Sequence, residues 1–564
     1  MGYNFAGAGG GDQGWLLPPD PREWLPAGHL AWAVREAVGG MDLSPFLAGY
    51  RADGQGKKAY HPALMVALVM YCYCKGVRSS RAVEMATYDD VGARVLAGNL
   101  HPDHATVARF VIRHERAVKG LLVASLAACA AQGLVSVDVV AGDGTKVKAS
   151  ASMAANATAE QLGIEIGELE AVLAAEVDAW FAQARAADAA EDALFGGGSE
   201  GRGPGGGGPG SLARLADKIA RRQKAKARLD AEAGERRAGA GAAHRDKIAR
   251  LERRVATNQD AVVREEAAAA ARVKDYQTRA AAKAAAGSAK RPDGRMPVPA
   301  DRLVAARRAR RALGKAEQAL AAARAAPAAP AAAAAKANTT DPASRVMPAK
   351  QGGFGQLHNV QVLAGEHQVI YAIGTHASPV DTGALHPLLT RARANLDAAG
   401  IRRKIKRALF DAGYASEDNF TAGCEAELYV AVTREARQTG RLADGKTPRT
   451  MKDSWQQMAA RLGTPQGKAL YRQRSAIIEP VFAQLFARLG RDLHYRDTKA
   501  DLELHLWAAS HNLLKAIRAR ARPAATADIQ RAPPHQDAMT SSPGQISDSL
   551  HLPESGRDHE VLRR

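Results

Sequence analysis

Cysteine, long apolar runs and acidic residues are all in short supply here, and each shortage excludes something. Four cysteines in 564 residues cannot staple a disulfide scaffold. Cys72 and Cys74 are two apart on a helix-like segment and so face different ways, while Cys129 and Cys424 have no paired ligand nearby, so no zinc pattern results. All four are expected to be small apolar residues in a reducing cytoplasm. The longest apolar run, Pro62 to Cys74, is too short to span a bilayer. The opening MGYNFAGAGGGDQGW has neither a basic n-region nor an apolar h-region, so no secretory signal is read there, and a soluble protein with no membrane partner is expected. Asp and Glu number 59 against 78 Lys and Arg, a formal charge of +19 with a pI near 9.8. That excess suits a polyanion such as DNA, although charge of one sign also serves plain solubility.

The length allows two or three domains and a large core. Residues 1–19 read as a flexible start and 20–130 as a helical domain. Pro62 can open a helix, Gly76 closes the apolar run, and Ser79 or Ser80 can cap the next helix. A further helix is expected after Asp89, and another after the loop NLHPDH with Thr106, Val107 and Phe110 inward. Short helices with tight turns fit both a helix-turn-helix-like DNA reader and a plain helical bundle.

From Leu134 the pattern becomes strand-like, with a first strand expected to end at Ala141 before a turn at Gly142 to Gly144. Strands are expected over Asn359–Leu363, Val369–Gly374, Ala408–Phe410 and Leu428–Thr433, with a helix from Leu385 to Ala398. Residues 131–152 and 339–521 would then form one α/β domain. Between its first two strands lies an insert, 153–338, with a Gly-rich linker (Phe195 to Gly210), Ala-, Arg-, Lys- and Glu-rich stretches and an Ala/Pro run. Its composition predicts long helical arms, forming a hairpin, with irregular apolar spacing. Arg307 to Arg311 could track phosphates or simply form a solvated face. The tail, 522–564, is poor in apolar residues and is expected to be disordered.

Three distant stretches each offer an acid in a setting suited to a metal: AGDGTKVKAS around Asp143, ALFDAGYAS around Asp411, and YRQRSAIIEPVFAQLF around Glu479. Three carboxylates brought together repel, so shared ionisation requires divalent cations between them. Each acid has an ordinary alternative: Asp138 rivals Asp143, an Asp before Ala-Gly is often only a turn former, and a helical Glu such as Glu479 or Glu503 is often only solvated.

These stretches resemble the bacterial insertion-sequence transposases of the DDE class, whose last acid lies in a Tyr, Arg, Glu, Lys signature. Thr340 to Val362 resembles the family's lead-in to its second strand, His505 to Arg520 its closing helix, and Tyr60 to Ala86 with His101 to Phe110 its N-terminal domain. The resemblance implies an α/β, ribonuclease-H-like mixed-sheet core with an N-terminal helical domain and the long helical insert between the first and second core strands. It implies that Asp143, Asp411 and Glu479 are catalytic and hold two Mg2+ ions, Mn2+ being an alternative. Lys146, beside the first acid, and Tyr471 and Arg474, one to two turns before Glu479, would contact DNA. The partners would be double-stranded DNA, as element ends and target, and further copies of the chain in a synaptic complex. The place would be the bacterial cytoplasm, at the nucleoid. Asn359 and Gln361 would support the site through hydrogen bonds, and in the last helix His511, beside Asn512, would be a core or capping hydrogen bonder and not a metal ligand. Two positions depart from the family: Phe486 replaces the Lys of the signature, and Asp497 after Arg496 replaces a Gly. Cleavage of element ends with joining to target DNA is the expected activity, a nuclease without strand transfer is another outcome, and a decayed or domesticated DNA-binding descendant is the alternative.

Overall fold

The structure, a computed structural model, describes residues 23–50, 58–195, 210–286, 292, 295–327, 335–349, 352–432 and 453–521. The expected flexible start, the Gly-rich linker, most of the Ala/Pro run, Thr433 and the expected disordered tail lie outside these residues.

Among the described residues, seven α-helices precede the first strand: α1 (Leu30–Gly39), α2 (Ser44–Leu47), α3 (Pro62–Cys74), α4 (Ser80–Asp89), α5 (Val91–Leu96), α6 (His104–Arg113) and α7 (Glu115–Ala131). Their starts follow local chemistry. Pro62 stands in the first turn of α3, and the side chains of Ser79, Asp90 and Asp103 accept from Ala82 N (3.1 Å), Ala93 N (3.0 Å) and Thr106 N (2.7 Å) to cap α4, α5 and α6. Each such cap is worth about 1 kcal/mol. Because α3 is apolar on every side it is buried on every side, with Cys72 and Cys74 inside. On α6, Val107 and Phe110 point inward, whereas Thr106 stays partly exposed and its hydroxyl bonds to Asp103.

The main sheet contains β1 (Val139–Lys148), β4 (Arg345–Pro348), β5 (Phe354–Gly365), β6 (Ile370–His376), β7 (Arg407–Phe410) and β8 (Glu427–Val430). Its order is β6-β5-β1-β7-β8, with β4 sharing the outer edge of β5. Strand β5 is antiparallel to β1 and β6, while β1, β7 and β8 are parallel. Two expectations are corrected. The first strand does not cover Leu134 to Asp138, and the chain does not turn at Gly142 to Gly144, because β5 pairs with β1 continuously from Val140 to Lys148. The glycines there make room inside the strand: a β-carbon on Gly142 would strike the Phe410 ring, and one on Gly144 would strike Gln361 and Asp381.

After β8, α13 (Asp453–Gly463) and α14 (Pro465–Leu489) lead to α15 (Lys499–Arg520), and α14 packs on β1, β5 and β7. The stretch Leu502 to Leu514 of α15 is buried on all sides. One side meets the N-terminal helices through Cys74 Sγ to Ser510 O (3.7 Å) and Cys129 Sγ to Asn512 O (3.2 Å). The other meets the sheet, where Asn512 imitates a neighbouring strand by bonding both N and O of Ile370 at 2.8 Å, and His511 Nε2 lies 2.8 Å from Gln368 O. Glu503 is committed to structure: Oε1 accepts from Arg78 (3.2 Å), and Oε2 accepts from the backbone N–H groups of His494 (2.7 Å) and Tyr495 (2.9 Å).

The insert starts from a two-stranded ribbon, β2 (Asn156–Thr158) with β3 (Lys336–Asn338), and rises through α8 (Ala159–Phe195), α9 (Gly210–Ala285) and α10 (Val304–Ala325). The expected hairpin is α9 against α10, running antiparallel with Arg310 on Glu266 (2.5 Å) and Arg324 on Glu252 (2.7 Å). Its base is attached to the core: Leu162, Ala225 and Leu229 bury against Ala157 and Ala337, and Arg228 donates to Pro342 O and Ser344 O. Of the Arg307–Arg311 cluster, Arg310 is paired with Glu266, while Arg307, Arg308 and Arg311 are exposed.

Candidate active site

Strand register decides where the first two acids meet. Ala141 of β1 stands opposite Leu409 of the parallel β7, the last pair of that ladder; Asp143 lies two residues further along β1 and Asp411 two residues beyond Leu409, and the Asp411 charge acts on the Asp143 carboxyl. Asp143 lies within β1, opposite Val362, and not at a strand end. Asp411 follows β7 directly, and its Oδ1 accepts from Gly413 N at 3.0 Å, which caps the short 3-10 turn Ala412–Tyr414.

Burial pushes the Asp143 carboxyl up to about 6, with the negative charges of Asp411 and Asp381 adding to the effect and the Arg474 guanidinium opposing it. Arg474 is itself buried, on the side of α14 that faces the sheet, and its Nη1 stands 3.6 Å from Asp143 Oδ2. Tyr471, one turn earlier on α14, is half-buried.

Alternation along β1 turns Lys146 to the face opposite Asp143. There Lys146 Nζ lies 3.6 Å from Oδ1 of Asp381, a residue between β6 and α11 (Leu385–Ala398). Burial lowers the pKa of Lys146, with Asp381, then Asp143 and Asp411, pulling the other way. The same Oδ1 accepts from Asn359 Nδ2 (2.7 Å) and Gln361 Nε2 (2.8 Å), and Gln361 Oε1 accepts from the buried Tyr414 hydroxyl. Sequence reasoning pointed to Asn359 and Gln361 but passed over Asp381. The only local signal is an Asp-Thr-Gly after a strand, which otherwise reads as a turn.

Glu479 is exposed on α14. Five residues after Arg474, it points about 140° away from it around the helix. Pro480 follows and has no N–H for Ala476 O, toward which Gln368 Nε2 donates at 3.5 Å. Among the described residues, no group of three or more His, Cys, Asp or Glu side chains is positioned to hold a metal ion. Asp138, the rival of Asp143, pairs at the surface with Lys406 (2.6 Å).

Two family models match: one described as a Transposase domain covers residues 19–113, and one described as a Transposase DDE domain covers 335–514. Together they support an insertion-sequence transposase of the DDE class. The transposase DDE match includes Asp381, Asp411, Arg474 and Glu479, while Asp143 and Lys146 lie outside both matched stretches. The mixed sheet, the helical N-terminal region and the long helices between β1 and β5 accord with the ribonuclease-H-like fold of such a transposase. No curated protein and no solved structure matches the chain. Among the described residues, no helix is long and apolar enough to cross a membrane.

The family normally works with a divalent metal, and the donor chemistry suits one. Asp143 and Asp411 offer the hard carboxylate oxygens that such an ion takes, and burial is the main reason that the Asp143 pKa is raised.

The two family departures have structural counterparts. Phe486 stacks on Phe482 (centroids 5.9 Å apart), and the Arg491 guanidinium lies 4.2 Å from the Phe486 ring centroid, so a cation still stands next to the position of the absent lysine. Asp497 has a positive φ of 57°, the left-handed region that a glycine enters freely. Lys224 of α9 binds its carboxylate at 2.6 Å, tying the insert to this turn.

Proposed function

We propose that this transposase cleaves the ends of an insertion sequence and joins them to target DNA by metal-dependent phosphodiester hydrolysis and transesterification. The parallel pairing of β1 with β7 carries the reading, since its last pair, Ala141 with Leu409, brings Asp143 and Asp411, each two residues further on and far apart in sequence, to the same end of that ladder. Asp143, Asp411 and Glu479 would hold two Mg2+ ions, or Mn2+, which when bound activate water or a DNA 3'-hydroxyl and stabilise the leaving oxygen. Lys146, Tyr471 and Arg474 would bind the DNA backbone beside the cut. The exposed Arg307, Arg308 and Arg311 of the arm would extend that contact, at a salt-dependent affinity. Double-stranded DNA places the protein at the nucleoid, and pairing of two ends calls for at least two copies of the chain.

A descendant that binds DNA without cutting it is the alternative, favoured by the exposure of Glu479 and its direction away from Arg474. End-containing DNA incubated with Mg2+ separates the two. Asp143→Asn, Asp411→Asn and Glu479→Gln should each abolish nicking and leave DNA binding largely intact. Parental cleavage by all three would sink the proposed site, and a parent that binds ends without nicking them would establish the descendant.

A further inference from the structure

Asp381 stands between a cation and a catalytic acid. Its Oδ1 faces Lys146 Nζ at 3.6 Å and takes the amide hydrogens of Asn359 and Gln361 at 2.7 and 2.8 Å. Its Oδ2 points the other way: a β-carbon placed on Gly413 would be 3.3 Å from this oxygen and 3.1 Å from Asp411 Oδ1, so both oxygens border the same small space. Asp381 belongs to no motif and is only partly exposed, with 22% of its side chain accessible.

Lys146 is attracted by three carboxylates, Asp381 first and then Asp143 and Asp411. A lysine is a flexible point charge on a four-carbon stem, and it moves to whichever anion is left uncompensated. Without the Asp381 charge, the anion that remains beside that space is Asp411, whose Oδ1 borders it with Asp381 Oδ2. An ammonium on Asp411 competes with a divalent ion for the same oxygens.

Resting on the metal-holding role proposed above, we infer that Asp381 is a positioning residue that keeps Lys146 off Asp411, leaving that carboxylate to the metal and the ammonium to DNA phosphate. Asp381→Asn suits the test, because the amide keeps the shape and an oxygen able to accept from Asn359 and Gln361 while removing the charge. Mn2+ binding to the full chain, followed by electron paramagnetic resonance without DNA, is the readout, with thermal melting as the control for folding.

Asp381→Asn should weaken Mn2+ binding by roughly tenfold, the low end for groups that support a metal's ligands. Adding Lys146→Gln to it should restore the parental affinity, because the competing charge is gone. Lys146→Gln alone should bind Mn2+ at least as tightly as the parent. A loss in Asp381→Asn that Lys146→Gln fails to restore would overturn the inference, as it would make Asp381 a direct ligand or a purely structural group. So would a lowered melting temperature with unchanged Mn2+ affinity. Asp143→Asn separates the two levels. If it loses Mn2+ affinity while Asp381→Asn does not, only the inference about Asp381 fails; if Asp143→Asn binds like the parent, the metal-holding role fails and this inference with it.

Discussion

Asp143→Asn should make the protein more stable relative to the parent as pH rises, even though it disables the proposed site. The folded-state pKa of Asp143 is about 6, against 3.8 for the unperturbed group. Between these values the native protein binds the proton that the unfolded chain has released, so the parent loses stability as pH climbs through that window. A shift of about 2 units corresponds to a penalty on the order of 3 kcal/mol, complete above pH 7 and absent below about pH 4. The side chain is 23% exposed, so solvent screening removes only a minor part of that figure. Asn resembles the protonated acid and does not titrate, and the opposing pull of Arg474 is already contained in the shifted pKa. Urea unfolding of both proteins at pH 4.5, 6 and 8, in chelator, measures the difference directly, and other titrating groups largely cancel. The variant should gain on the parent by about 2 kcal/mol between pH 4.5 and pH 8, the first part of the penalty having already accrued at pH 4.5. Two stability curves that run parallel across that range would refute the claim that Asp143 is buried among like charges. Added Mn2+ should then stabilise the parent and leave the variant nearly unmoved, since a ligand stabilises only the state that binds it.

Excising Arg253 to Ala323 and joining Glu252 to Arg324, which already touch at 2.7 Å, should preserve the folded core and flatten the slope of log DNA affinity against log salt; an unchanged slope would make the arm a bystander. Removing the whole insert should instead lower stability, because Arg228, Lys224 and Leu229 attach its base to the core. Asp497→Gly should stay within about 1 kcal/mol of the parent in thermal or urea unfolding, relief at the positive φ offsetting the lost Lys224 pair, whereas Asp497→Ala should lose roughly 1–2 kcal/mol because it keeps the strain without the pair. Phe486→Lys should lower stability by about 1–2 kcal/mol through loss of the Phe482 and Arg491 ring contacts, with no gain in strand transfer; a stable variant with raised strand transfer would show that the missing lysine is a lesion.

Local chemistry was enough for much of this protein. Pro62, Ser79, Asp90 and Asp103 mark helix starts because an orphan N–H needs an acceptor, or no N–H at all, within a few residues. The helix Leu385–Ala398 and the strand at Ala408–Phe410 follow from apolar spacing in the same way, and the order of motifs along the chain led to the transposase family. Tertiary structure decided what depends on partners remote in sequence. The first strand begins at Val139 and runs through Gly142 and Gly144 because β5 continues beside it, and a ladder of hydrogen bonds to a strand some two hundred residues away overrides a local turn signal. Asp381 became visible only once the fold had set it between Lys146 and Asp411, since a carboxylate's electrostatic role depends on which charges lie within a few ångströms and not on its neighbours along the chain. The same holds for Asp497: the sequence marks it as a departure from glycine, while the Lys224 charge that accompanies it comes from a helix of the insert.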